Sequence, residues 1–410
     1  MTMIGLRCSR HEVGGGNALL TSERSGTTND RVLFYNHYDV VEEGRKELWK
    51  TGDPFRAEVV DGKIYARGIS DNKGGLFSRL HAVQAILAVR GTLPATVKFL
   101  IEGDEETSSP SMFRFAEENP EEFRSLTEAD VCVWENGRKD EGGHPWARFG
   151  VRGSCAFDLR VTTAKSDTHS RMGATIPSAS WRLVWALASL KGVDEKIRVD
   201  GFYDRVIPPT ESDFEILRQF PYEEGVQKEK LGIKSYLLNA TGEELKKRVY
   251  LEPSLSICGL ESGEVHNGVR GIVPCKAYAR ISFYLVADQD PSELGSLLRR
   301  HLDKHGFPDI EVAQAGGANR PVRTPVDIPF RERVCEAAAK VYKEPMVIEL
   351  TQLGGGPAIA IRNAWPEIPV VGFGPGNTGS NHHAPDENLK LLDYVEAVKH
   401  VAALLCSYDV

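Results

Sequence analysis

The sequence predicts an α/β fold interrupted by a second, α+β unit, and three observations predict it. Apolar strand-like runs alternate with helical patterns over residues 31–146. The character then changes at RFGVRGSCAFDLRVTT (148–163), which reads as a strand entering a new sheet. Finally, 410 residues with 41% hydrophobic content exceed one domain of roughly 100–200 residues and supply enough apolar material for more than one core.

Taken in order, RVLFYNHYDVV (31–41) is an apolar run that ends in His37 and Asp39, two residues apart and so on one face of an extended chain. KIYARGISDNKGG (63–75) places Asp71 after a short strand, in a glycine-flanked turn that opens a helix over 76–89. ATVKFLI (95–101) is a half-buried strand broken by Gly103, and it delivers the adjacent Glu105 and Glu106. ADVCVWENG (129–137) is another apolar strand ending in an acid, Glu135. In the second unit, helices are expected over 178–190 and 291–305, and strands over 251–257 and 275–287. The charged stretch 221–247 reads as a solvated helical excursion, and GGANRPVRTPVD (316–327), rich in Gly and Pro, as the return linker. PVVGFGPGNTGSNHHAPDENL (369–389) then sets His382 and His383 between a glycine-rich loop and a final amphipathic helix.

Taken singly, each polar residue has an ordinary explanation: a solvated acidic pair, a hydrogen-bonded histidine, a helix N-cap. Together they fall at predicted strand ends, where open α/β sheets place ligands. Adjacent carboxylates point in different directions, so one can hold a metal while its neighbour moves a proton. A carboxylate in a turn such as that of Asp71 can bridge two cations, and a histidine beside a carboxylate, as in His37 and Asp39, resembles a metal ligand with its orienting partner. Carboxylates plus imidazoles suit Zn²⁺, with Mn²⁺ or Co²⁺ as alternatives, and argue against Ca²⁺. The pattern is that of a two-metal hydrolase.

Composition narrows the partners. The formal net charge of −8 and the lack of a basic cluster argue against nucleic acid. Seven cysteines without CxxC spacing fit a reducing cytosol, and no stretch reads as a signal peptide or membrane span, so a cytoplasmic location is expected. Gly374, Gly376 and Gly379 satisfy a dinucleotide-loop pattern, but they precede NHHAP rather than a helix.

The motifs NHYDVV, ARGISDNKGG, EGDEETSS and HAPDEN resemble, in order and spacing, those of metallopeptidase family 20. This group contains carnosinase-like dipeptidases, glutamate carboxypeptidases, aminoacylases and acetylornithine deacetylases. The resemblance implies a mixed-sheet, dizinc aminopeptidase-like catalytic domain over 1–149 and 322–410, with an inserted α+β lid and dimerisation domain over 150–321. It further implies that Asp71 bridges two metal ions, most simply zinc, with Glu106 and His383 completing one shell and His37 and Glu135 the other. Glu105 matches the general acid/base and Asp39 the residue orienting His37. A cis peptide is implied between Asp71 and Asn72. In KSDTHSRMGATIPSASWRLVWALASL (165–190), His169 matches a histidine that reaches across a homodimer to the substrate's oxyanion. The amino end departs from the resemblance, since relatives usually have a longer helical lead before the first metal histidine than the 36 residues that precede His37 here.

The chain departs from the dipeptidase pattern in three places. Tyr284 stands where many relatives carry a substrate-binding arginine, and Gly356, in the loop with Gly355, where they often carry a serine. Glu135 replaces the Asp usual among peptidase members. Arg270, with Arg280 and Arg320 as alternatives, is expected to compensate for the missing cation. The expected activity is metal-dependent cleavage of the amide bond of a dipeptide or similar small substrate. Deacylation of N-acyl amino acids is the alternative, and a non-catalytic metal- and ligand-binding relative the reading from another class. No nucleic acid or membrane partner is expected.

Overall fold

A computed structural model describes residues 1–264, 266, 268, 270–353 and 356–409. An eight-stranded mixed sheet organises the first unit, in the spatial order Arg7–His11, Leu19–Arg24, Thr96–Glu102, Arg31–His37, Val131–Trp134, Val370–Gly372, Trp146–Arg148, Val347–Glu349. Arg31–His37 pairs in parallel with Thr96–Glu102 on one side and Val131–Trp134 on the other. These strands are buried nearly end to end, with apolar runs such as Val32–Tyr35 and Phe99–Ile101 at their centres, because both faces are covered. Val32 and Phe34 face one core, with the helices Gly74–Arg90, Pro329–Ala339 and Leu391–Cys406. Leu33 and Tyr35 face the other, with Pro110–Glu118, Pro120–Thr127 and Ala358–Ala364.

The second unit is an antiparallel four-stranded sheet in the order Ser254–Ser262, Lys276–Leu285, Gly153–Thr162, Glu311–Asn319. Ala277, Ala279, Ile281, Phe283 and Leu285 alternate along one strand into a separate core beneath the helices Ala179–Leu190 and Pro291–Lys304. A short ribbon, Gly150–Val151 against Val322–Arg323, joins the two units.

Several elements differ from expectation. Residues 316–319, read as linker, extend the strand Glu311–Asn319; the left-handed Gly316 (φ 73°) and a register shift between Ser154 and Ala156 accommodate them. The strand expected at 251 begins at Ser254, because Tyr250 and Leu251 end a buried helical face, Gly242–Leu251. The stretch 221–247 is helical in part and mostly exposed, as read from sequence, with Ala240 and Leu245 buried; its flanks are not solvated. Leu217, Phe220, Tyr250 and Leu251 pack into the core of the first unit, with the Phe220 ring 5.1 Å from Trp146 and 4.9 Å from Tyr250. Part of the 150–321 span therefore packs on the sheet that carries the strand-end acids. At the amino end, where the sequence already departs from the relatives' helical lead, Arg7–His11 and Leu19–Arg24 form an antiparallel pair that extends the large sheet.

Candidate metal centre

His37 is the last residue of its strand and fully buried, so its imidazole projects at the carboxyl edge of the sheet. Its Nε2 lies 3.1 Å from Asp71 Oδ1 and 3.3 Å from Glu135 Oε2. On the opposite side, His383 Nε2 lies 3.3 Å from Asp71 Oδ2 and 3.1 Å from Glu106 Oε2. The two oxygens of Asp71 thus face two different histidines, each with its own glutamate. Ligand atoms of His37, Asp71 and Glu106, and of His37, Glu105 and Glu135, each gather within 4.8 Å of one another. The Asp71–Asn72 peptide is cis.

Close polar contacts between residues far apart in sequence, most of them hydrogen bonds, fix this arrangement. Asp39 Oδ1 lies 3.2 Å from His37 Nδ1, while its Oδ2 accepts from the Glu106 backbone N–H at 3.0 Å, so one carboxylate orients a ligand from each half. The turn bearing Asp71 is held by Glu387, which accepts from the N–H groups of Gly68, Ser70 and Asp71 and from Arg67 Nη1 at 2.8–2.9 Å. Asn136 Nδ2 donates to Asp71 Oδ1 at 2.9 Å. The sequence reading missed both residues, although Glu387 lies within HAPDEN and Asn136 follows Glu135 directly. His382 is anchored to Ser70 Oγ at 2.8 Å and stays 3.7 Å from Asp71, whereas His383 contacts Glu106.

The electrostatics are those of an acid-rich cradle. Burial opposes charge on His37, yet Glu135, Asp39 and Asp71 push its pKa up to about 12. Burial and the coulombic field of Glu105 hold the Glu135 carboxyl far above the carboxylate range. Glu105, raised first by burial and further by Glu106 and Asp71, reaches about 7. Buried oxygens Glu106 Oε1 and Glu135 Oε2 receive no hydrogen bond. Unsatisfied buried carboxylate oxygens beside histidine nitrogens fit divalent cations, which supply the missing positive charge.

The glycines that imitate a dinucleotide loop have a packing role. A Cβ at Gly376 would fall 2.4 Å from Gly137 O, and one at Gly137 would fall 1.9 Å from Gly374 N. Bare backbones let the loop leading to His383 press against the loop leaving Glu135.

A profile of peptidase family M20/M25/M40 matches residues 33–407. The chain belongs to this family. It is 28% identical to human Beta-Ala-His dipeptidase over 94% of its own length and 76% of the relative's. It is 25% identical to Cys-Gly metallodipeptidase DUG1 of Saccharomyces cerevisiae, over 95% and 82%. Among solved structures, an M20 family metallo-carboxypeptidase from Sulfolobus solfataricus superposes with a TM-score of 0.86 at 31% identity, covering 100% of this chain and 91% of the other. Human carnosine dipeptidase 1 superposes at 0.70 with 25% identity, covering 100% and 88%.

The remaining sequence-predicted residues of this M20 metallopeptidase lie elsewhere. His169 is exposed on the ribbon Thr168–His169 against Ile272–Val273, its Nδ1 accepting from Arg171 N at 3.2 Å. Arg270 ion-pairs with Glu264 at 2.8 Å beside the same ribbon, along a groove of about 670 Å³ lined by none of the clustered acids. Tyr284 stands on the open face of the four-stranded sheet, its ring 5.8 Å from the Arg152 guanidinium. Among the described residues, no hydrogen bond or ion pair joins these three side chains to the acidic cluster. Arg280 is bound to Asp158 at 2.8 Å, and Arg320 lies 3.7 Å from Asp290. Gly356 sits against Trp134, next to Glu135, whereas Gly355 lies outside the described residues.

Proposed function

We propose that the protein is a dinuclear zinc-dependent hydrolase that cleaves the amide bond of dipeptides or similar small peptide-like substrates. The observation that carries this reading is the division of Asp71, one oxygen toward His37 and Glu135, the other toward His383 and Glu106. These five residues would hold two ions, Zn²⁺ by donor chemistry and Mn²⁺ or Co²⁺ as substitutes. Bound there, the ions supply Lewis-acid polarisation of the scissile carbonyl and a water acidified to a pKa of about 7.

Glu105 is the general base and acid. Its carboxylate lies within 4.8 Å of ligand atoms of His37 and Glu135, and burial raises its pKa to about 7, so it takes a proton near neutral pH. It accepts the proton of the attacking water and delivers it to the departing amine nitrogen, leaving a carboxylate and an amine. Asp39 holds His37 and the Glu106 backbone in register throughout.

We read the four-stranded unit as a lid and dimerisation domain, with His169 and Arg270 of one protomer serving the substrate of its partner. Trp181 and Trp185 support this reading: they stack 5.5 Å apart and stand 58% and 52% exposed on Ala179–Leu190. A Ser180–Ser262 hydrogen bond holds that helix beside the edge strand Ser254–Ser262, where Leu260 is also exposed. A second copy pairing edge to edge would cover both. The cytoplasm fits the unpaired state of all seven cysteines; no helix among the described residues is long and apolar enough to cross a membrane.

The relatives' names favour peptides with a free carboxyl end. The test incubates zinc- or manganese-loaded protein with dipeptides, dipeptide amides and N-acyl amino acids, and follows products by mass spectrometry. Cleavage of free dipeptides supports the proposal. Cleavage confined to N-acyl compounds makes the protein a deacylase, and silence despite two bound ions makes it a binding protein.

A further inference from the structure

Arg79, in the helix Gly74–Arg90, is the largest fully buried side chain among the described residues, 1% exposed. A buried guanidinium is costly unless its donors are matched, and here no carboxylate matches them. Burial lowers its pKa only to about 10, so it remains a cation at neutral pH. It donates to Tyr35 O at 2.6 Å, Asn36 Oδ1 at 2.7 Å, Trp134 O, and Phe373 O at 3.5 Å.

Those acceptors share one position in the fold. The ladder between Arg31–His37 and Val131–Trp134 stops at Phe34 and Val133, and that between Val131–Trp134 and Val370–Gly372 stops at Trp134 and Gly372. Beyond these points the strands part to open the crevice, leaving carbonyls without strand partners. Arg79 fills that gap. It holds the peptides just before His37 and Glu135 and the start of the loop that leads to His383. Asn36 in turn donates to Asn72 Oδ1, Asn72 to Asn136 at 2.8 Å, and Asn136 to Asp71, while the Tyr35 ring stacks on Trp134 at 3.8 Å.

We infer that Arg79 is a positioning residue for one half of the dinuclear centre, setting the spacing of His37 and Glu135 by clamping the strand ends that carry them. The inference rests on the two-ion reading above. The planar guanidinium reaches three neighbouring strands at once, which the single ammonium of lysine does not. Asp39 touches both halves, His37 Nδ1 at 3.2 Å and the Glu106 backbone N–H at 3.0 Å, whereas Arg79 bonds to the strand ends of the His37–Glu135 half and reaches the His383 loop only through Phe373 O at 3.5 Å. Loss of Arg79 therefore falls mainly on the His37–Glu135 half, with Asp39 still in place.

The test measures Zn²⁺ binding to metal-free wild type, Arg79→Met, Arg79→Lys and the packing control Val83→Ala, by competition with a chromophoric chelator, with folding monitored by circular dichroism. Val83 lies in the same helix, fully buried in the core. Wild type and Val83→Ala should take two ions alike. Arg79→Met should keep one ion at wild-type affinity and bind the second about 10–100-fold more weakly, the usual cost of removing a support behind a ligand. Arg79→Lys should recover only part of that loss, and it decides the question if Arg79→Met fails to fold. Adding His37→Ala to Arg79→Met should remove no further strong site, whereas adding His383→Ala should leave only weak binding. Two wild-type affinities in Arg79→Lys and Arg79→Met, or equal weakening of both sites, overturn the inference. Fewer than two ions in wild type overturns the two-ion reading itself, a separate outcome.

Discussion

At the scale of single residues, the centre is a set of carboxylates whose ionisation is set by burial and by one another. Asp71 and Glu105 both lie beside His37 yet are driven in opposite directions, Asp71 down by hydrogen bonds to His37 and His383 despite its burial, Glu105 up by burial. Such divergence separates a ligand from an acid/base. Glu105→Gln should therefore lower kcat about 10²–10⁴-fold while metal content, read by atomic emission, stays at two ions. Glu387 makes the complementary case. Its ion pair with Arg67 at 2.8 Å leaves both side chains about 1% exposed, and removing one charge strands the other. Glu387→Gln should cost about 3–5 kcal/mol in urea unfolding of the metal-free protein, with Asp71 losing its anchor.

Helices and loops add dependences that no single site residue explains. His400, in Leu391–Cys406, lies 1% exposed between Phe373 and Tyr342, with Nε2 on Val334 O at 3.1 Å. Burial lowers its pKa to about 4. The unfolded imidazole, with a pKa near 6.5, binds a proton first as pH falls, so this stability is complete above about 6.5 and is lost progressively toward 4. The loss should approach roughly 3 kcal/mol. Urea unfolding of metal-free protein at pH 7.5 and 4.5 should show that difference shrinking in His400→Leu. In the paired loops, Gly137→Ala forces Gly374 away, since its Cβ would meet that backbone at 1.9 Å. The expected result is a fall in kcat/KM of at least tenfold, with Glu105 and every ligand intact, measured on the best dipeptide of the panel.

For the whole molecule, two units joined by the ribbon of 150–151 and 322–323 permit relative movement, while the packing of Leu217, Phe220, Tyr250 and Leu251 on a core of the first unit opposes it. The proposed function by a pair of chains draws on the placement of His169 and Arg270 away from the acids of their own chain. Trp181→Asp with Trp185→Asp should give monomers in sedimentation velocity and lose most activity, with two ions still bound. A fully active monomer would remove the trans role of His169. Most of the acidic centre was legible in sequence because His37 ends and Glu135 directly follows a buried apolar strand, while Asp71 and Glu106 stand in turns soon after strands, positions that are encoded locally by the strand and the glycine that breaks it. The helix expected at 76–89 and found at Gly74–Arg90 was legible for the same reason. Residues 316–319 were not, since a glycine pair that suggests a linker becomes a strand only when Ser154 pairs with Asn319. By itself the sequence determined which residue types meet at the crevice and in what chain order, because periodicity and turn chemistry act over a few residues. Only the tertiary structure decided which oxygen of Asp71 faces which histidine, that Glu387 holds its turn, and that Arg79 closes the gap between parting strands, because those partners lie 34 to 320 residues apart and meet only once the sheet has formed.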